Sequence, residues 1–194
     1  MMKNPIASRT RLGQSGASLI EVLVSLIILM IGLLGLVGVM IQSQRSQVES
    51  YQRVQALLLL QDMGARITAN KTAATCYVLA TYIGTGNSTI PAGCAVGSAS
   101  QKARVTQDLT EWRDLLLGSA ELTAGADKVG AVIGARGCVQ ALPGASNVYQ
   151  ISIAWQGGSS IAAPPAGITC GQNLYGADEA RRAVSINIEL NNLI

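Results

Sequence analysis

The chain has 194 residues, 49% of them hydrophobic and only 13% charged, with a formal net charge of +3 and neither histidine nor phenylalanine. So small a charge, in a chain with 4% aromatics, supplies neither the basic patch nor the stacking surface of a nucleic-acid binder. Without histidine there is no imidazole base and no Ser–His–Asp or Cys–His nucleophile; with no GxxxxGK(S/T) loop and no calcium loop either, no enzyme, cofactor or metal site is expected.

The first stretch, "MMKNPIASRTRLGQSG", carries Lys3, Arg9 and Arg11 and no acid, which favours a cytoplasmic amino terminus. An apolar run follows. From Val22 to Ile41 no residue is charged, enough at about 1.5 Å per residue to cross one hydrocarbon core of about 30 Å. Glu21 stands at its entrance. A carboxylate carried deep into hydrocarbon costs about 2.5–3.5 kcal/mol, so it needs a partner or an interfacial position. A cleaved secretory signal would have a shorter apolar region followed by a small-x-small site, and "VGVMIQSQ" is a poor one. Cys76, Cys94, Cys138 and Cys170 form no CxxC and have no histidine to join them on zinc, so disulfides in an oxidising compartment are expected. Four cysteines allow three pairings. Everything beyond Ile41 is accordingly expected in a periplasm.

The segment "G-ASLIEVLVSLIIL" resembles the processing site of type IV prepilins: a short basic leader, Gly16, four residues, Glu21, then a long apolar helix. The resemblance implies cleavage by a membrane prepilin peptidase between Gly16 and Ala17, N-methylation of Ala17, and Glu21 as the fifth residue of the mature chain. Amine and carboxylate then stand four residues apart on one helical face. In the family this glutamate pairs with the amino terminus of a neighbouring subunit during assembly, which gives the acid its partner.

Beyond the apolar run the helix continues without proline to about Asn70. Gly32, Gly35 and Gly38 mark its membrane half, for close helix packing or for local loosening. Val48, Ala56, Leu60, Met63 and Ile67 recur at helical spacing and "ALLLLQDM" reads as a core face. From Thr72 to Arg104 small and polar residues dominate, and "GTGNSTIPAG" signals a loop. Cys76 and Cys94 bracket it; pairing them closes about 18 residues, worth roughly 3 kcal/mol in the chain-entropy model. "TQDLTEWRDLLLG" predicts a short helix with Thr106 as N-cap, an apolar stripe of Leu109, Trp112 and Leu116, and Gly118 as its stop. "GARGCVQAL" and "NVYQISIAWQGG", separated by "PGAS", predict a hairpin. In its second strand Tyr149, Ile151, Ile153 and Trp155 form the larger set, expected to face the long helix. Asp178–Glu179 reads as part of a solvated loop. "RRAVSINIEL" is a third strand, with Val184, Ile186, Ile188 and Leu190 alternating. Pairing Cys138 with Cys170 ties the first strand to the loop before the last. The expected fold is α+β: the type IV pilin fold, a long N-terminal helix packed on a small antiparallel sheet.

The later landmarks extend the resemblance to the PilV-type minor pilins. "LLLQDMGARITAN", "TEWRDLL", "GCVQAL", "YQISIAWQGG", "CGQNLYG" and "RRAVSINIEL" are similar to that subgroup's segments in the same order. The implied organisation is a leader over 1–16, a membrane-spanning or filament-core half helix over 17–41, an amphipathic half over 42–70 and an exported globular domain over 71–194. The implied function is that of a minor pilin, first in the inner membrane and then in the pilus at the cell surface. It primes assembly and joins a tip complex supporting adhesion and twitching motility. The implied partners are other minor pilins, the major pilin, a PilY-type tip adhesin, prepilin peptidase and the inner-membrane assembly machinery, with no nucleic acid bound directly. Two alternatives remain: a minor pseudopilin of a type II secretion system, and a membrane-anchored periplasmic binding module.

Overall fold

A computed structural model describes residue 16 and residues 18–119 and 132–191. In order, the elements are helix α1 (Leu19–Ala69), a 3-10 helix (Lys71–Tyr77), strand β1 (Ile83–Gly84), helix α2 (Ala99–Leu116), strands β2 (Arg136–Ala141) and β3 (Val148–Gln156), a 3-10 turn (Asp178–Ala180) and strand β4 (Arg181–Glu189). The chain divides into two compact units, Met1–Gln44 and Arg45–Ile194. In the first, α1 is apolar and exposed on every side from Leu19 to Ile41, interrupted only by small residues and Glu21. It runs unbroken through Gly32, Gly35 and Gly38.

The second unit is a pilin-like α+β fold. Four antiparallel strands lie in the order β1-β2-β3-β4, and one face of the sheet receives the C-terminal part of α1 together with α2. On α1 the buried row is Gln52, Ala56, Leu60, Met63 and Ile67, each one turn from the last. Val48, expected in that row, is 54% exposed; the row begins a turn later, at Gln52. Of "ALLLLQDM" Ala56, Leu60 and Met63 are buried and Leu59 and Asp62 half-buried, while Leu57 and Leu58 face solvent. One helical face cannot hold four consecutive leucines.

α2 begins earlier than its sequence reading. Ser98 is the N-cap, its Oγ accepting from the Gln101 backbone N–H while Gln101 Oε1 accepts from the Ser98 N–H, a complete capping box. Thr106 lies inside the helix and its hydroxyl donates to the Lys102 carbonyl. Leu109, Trp112 and Leu116 are buried as expected, and Gly118 adopts positive φ at the end.

β2 and β3 pair from Arg136↔Ala154 to Ala141↔Tyr149, and β3 and β4 from Val148↔Glu189 to Gln156↔Arg181. The sheet has four strands where three were expected, because β1 adds two residues, Ile83↔Gly137 and Gly84↔Arg136, too few for any periodicity. Tyr149, Ile151, Ile153 and Trp155 are buried in the helix-side core. Ser152 and Ala154 are buried as well, because the opposite face is covered too. There Cys138, Ala154 and Cys170 form a second cluster with Tyr82, Tyr175 and Ala183 against it. The disulfides are Cys76–Cys94, Cα–Cα 5.4 Å, and Cys138–Cys170, Cα–Cα 5.8 Å.

Polar groups fasten these layers. The Asp108 carboxylate, 1% exposed, receives Arg66 Nη1 and Arg104 Nε at 3.0 Å and the Tyr77 hydroxyl at 2.5 Å, joining α1, α2 and the first 3-10 helix. Burial raises the Tyr77 phenol's pKa above its ordinary value, and the bond to Asp108 adds to it. Burial works against the Arg66 charge, but Glu111, Asp62 and Asp108 outweigh it and hold the proton more firmly. The "DE" pair is no mere solvated loop. Asp178 grips the buried Arg181 through Nε at 2.6 Å and Nη2 at 2.9 Å, while Arg181 Nη1 donates to the carbonyls of Ile168 and Cys170.

Two glycines on the helix side give opposite predictions. A Cβ at Gly64 would stand 3.4 Å from Ile186 Cδ1, in ordinary contact, so Gly64→Ala should stabilise by about 0.4–1 kcal/mol through helix propensity. A Cβ at Gly137 would collide with the Trp112 ring and with Leu116, so Gly137→Ala should cost about 1–3 kcal/mol. Denaturant unfolding of both variants checks the two signs. A second expectation concerns acid. The hydrogen bond from Arg181 holds the Asp178 carboxyl below its ordinary pKa, and the one from Arg66 does the same for Glu111. A depressed carboxyl contributes stability above its unfolded pKa and loses it as pH falls through the folded value. The thermal midpoint should therefore fall below about pH 4, the ordinary carboxylate range. Asp178→Asn should lower it at neutral pH and flatten the acid limb.

Candidate processing and assembly site

The residues expected to be processed lie at the start of α1. Gly16 is exposed, with nothing within 4 Å of the position a Cβ would take. Ala17 and the leader residues 1–15 lie outside the described residues. Helical bonding begins at Ser18, whose carbonyl accepts from the backbone N–H of Glu21 at 3.0 Å and of Val22 at 3.2 Å. Glu21 is thus in the first turn, where a negative charge complements the helix dipole. One turn on, the Ser25 hydroxyl donates to the Glu21 carbonyl at 2.7 Å, occupying the Glu21 backbone and leaving its side chain uninvolved. Among the described residues nothing forms a hydrogen bond or ion pair with the Glu21 carboxylate, which is exposed on a helix whose other large side chains to Ile41 are apolar.

Such a helix has two physical destinations, hydrocarbon or other apolar helices. α1 is long and apolar enough to cross a membrane. In either setting the Glu21 carboxylate calls for a cation.

The model described as "Prokaryotic N-terminal methylation motif" matches residues 11–37. It spans Gly16, Ala17, Glu21 and most of the apolar run. This is the motif found at the amino termini of type IV prepilins and pseudopilins. Over these residues the chain carries the N-terminal methylation motif, ahead of a long helix packed on a four-stranded antiparallel sheet. Comparison with curated proteins and with solved structures found no match.

One arrangement went unseen in the sequence. Arg136 lies against the rings of both Tyr82 and Tyr175, its Cζ 5.2 Å and 4.4 Å from their centroids. "GARGCVQAL" and "CGQNLYG" hold two of the three residues, but only the fold brings them together, with Gly84 opposite Arg136 and Cys170 bonded to Cys138.

Proposed function

We propose that the chain is a minor pilin of the PilV type. In this reading residues 1–16 are a leader removed between Gly16 and Ala17, and Ala17 is N-methylated. Residues 17–41 serve as membrane span and later filament core, 42–70 as the amphipathic half helix and 71–194 as the exported domain. The observation that carries the reading is the exposed, unpaired Glu21 at the head of an otherwise apolar helix, inside a methylation motif covering residues 11–37. A neighbouring subunit's N-terminal amine supplies the missing cation, so incorporation into an assembly removes the cost of burying the carboxylate. The subunit then joins other minor pilins and the major pilin, primes assembly and supports a PilY-type tip adhesin. Adhesion and twitching motility depend on it through the pilus. The two disulfides suit an exported domain.

The test is intact mass of the protein from its native membrane, with and without prepilin peptidase. The expected species begins at Ala17, carries one methyl group and lacks the four hydrogens lost to two disulfides; without the peptidase the leader stays on. A full-length chain in both strains would overturn the reading in favour of a simple anchored domain. Glu21→Ala should leave cleavage intact and abolish incorporation into surface filaments, scored in sheared pili. Deletion that impairs type II secretion while pili persist would identify a pseudopilin instead.

A further inference from the structure

The two edges of the sheet are finished differently. β1 closes one side with two residues, whereas β4 closes the other with nine, about 30 Å of strand. Sheet edges are commonly blunted by brevity, proline, a bulge or a charge in mid-strand. β4 has none of these. Its register against β3 is unbroken from Arg181 to Glu189, and from Ala183 to Ile188 it holds neither proline nor charge.

Two bonds at the ends of this ladder fix which of its backbone groups face outward. The Gly157 N–H donates to the Ala180 carbonyl and the Leu190 N–H to the Asn147 carbonyl, each across a pair directly opposed in the β3–β4 register. Bonded pairs recur at every second residue, so Arg182, Val184, Ile186 and Ile188 direct their backbone groups at β3. The N–H and C=O of Ala183, Ser185 and Asn187 therefore point away from the sheet, and among the described residues nothing bonds them.

The side chains beside this edge call for cover of one pattern. α1 runs along β4, tied by Glu49 to Arg182 at one end, and further along a Cβ on Gly64 would touch Ile186 and Ile188. Val184, Ile186 and Ile188 pack against the helix-side core yet stay half-exposed. Leu57, two turns before Gly64 on the same side of α1, is 38% exposed. On the other face of β4, Ser185 and Asn187 are polar. At the end of the strand the Glu189 carboxylate is exposed and has no partner among the described residues.

We propose that β4 receives an extended strand of another polypeptide, antiparallel like every pairing in this sheet, with apolar residues at the alternate positions facing α1 and a basic residue beside Glu189. Outward donors and acceptors repeating along three alternate residues match a second backbone at the same spacing, and the half-exposed apolar row sets which of its side chains must be apolar. A second copy's β4 is the poorer match. Pairing β4 with itself about Ser185 would set each Glu189 opposite an Arg181 whose donors already serve Asp178 and the carbonyls of Ile168 and Cys170. The edge lies outside the methylation motif and does not depend on leader processing.

The test uses the full chain in detergent micelles, the peptide acetyl-Lys-Thr-Val-Thr-Val-Thr-Val-Thr-Lys amide as probe, and backbone amide NMR as readout. The expected result is a saturable shift of the Ala183, Ser185 and Asn187 amides. Directly opposed residues share a face, so with the valines toward α1 the threonine N–H groups reach β4. N-methylating the threonines should weaken binding about tenfold or more, and N-methylating the valines should leave it nearly unchanged. Ser185→Pro removes an outward donor and no bond to β3, so it should fold and bind about tenfold more weakly. If that variant does not fold, the two methylated peptides decide. No saturable shift, equal binding of the two methylated peptides, or undiminished binding by folded Ser185→Pro would overturn the edge site. Disulfide-linked dimers of Ser185→Cys, forming with no peptide present, would make a second copy the occupant and overturn the foreign strand.

Discussion

The C-terminal unit depends on one row of side chains on α1. Gln52, Ala56, Leu60, Met63 and Ile67 form the only helical face in that unit of α1 that is buried throughout. The sheet contributes Ile151, Ile153 and Val139 to the same core, α2 contributes Leu109, Trp112 and Leu116, and the first 3-10 helix contributes Tyr77. Remove the row and every one of these layers loses the surface against which it is dry. A sheet of two-, six-, nine- and nine-residue strands cannot hide its apolar face by itself. The helix is therefore the structural floor of the unit that follows it.

The opposite face of the sheet is closed by different means. Its cluster is small, built from Cys138, Ala154 and Cys170, and a loop rather than a helix lies over it. Covalent and ionic ties substitute for apolar area: the disulfide fixes the loop at Cys170, and Arg181 holds the carbonyls of Ile168 and Cys170 while anchored to Asp178.

Much of this was legible in residue order, wherever local period and burial agree. The extent of α1, the positions Ala56, Leu60, Met63 and Ile67, the stripe on α2 and the alternation of β3 follow from spacing alone. What escaped has specific causes. The start of α2 was readable in principle, since Ser98 and Gln101 stand in capping-box spacing, but the nearby Thr106 competed for the role. β1 is too short to show a period. The burial of Ser152 and Ala154 does not follow from alternation, which assumes one dry face, because the second cover comes from a loop after β3. What Arg181 and Arg136 touch follows only from register and disulfide closure, which no local pattern shows. The motif that holds Gly16, Ala17 and Glu21 was legible as a pattern, because its residues are contiguous in sequence.

The meeting of Trp112 and Gly137 carries a consequence for how such chains diverge. The indole N–H donates to the Leu59 carbonyl of α1 at 2.9 Å, while the ring's far edge fills the place a side chain at 137 would take. Three elements are thus gauged against a single ring. A smaller residue at 112 would free volume that only a larger residue at 137 could reclaim, and neither change is neutral alone. Across descendants of this fold the two positions should drift as a pair, with the bulk of one tracking inversely the bulk of the other.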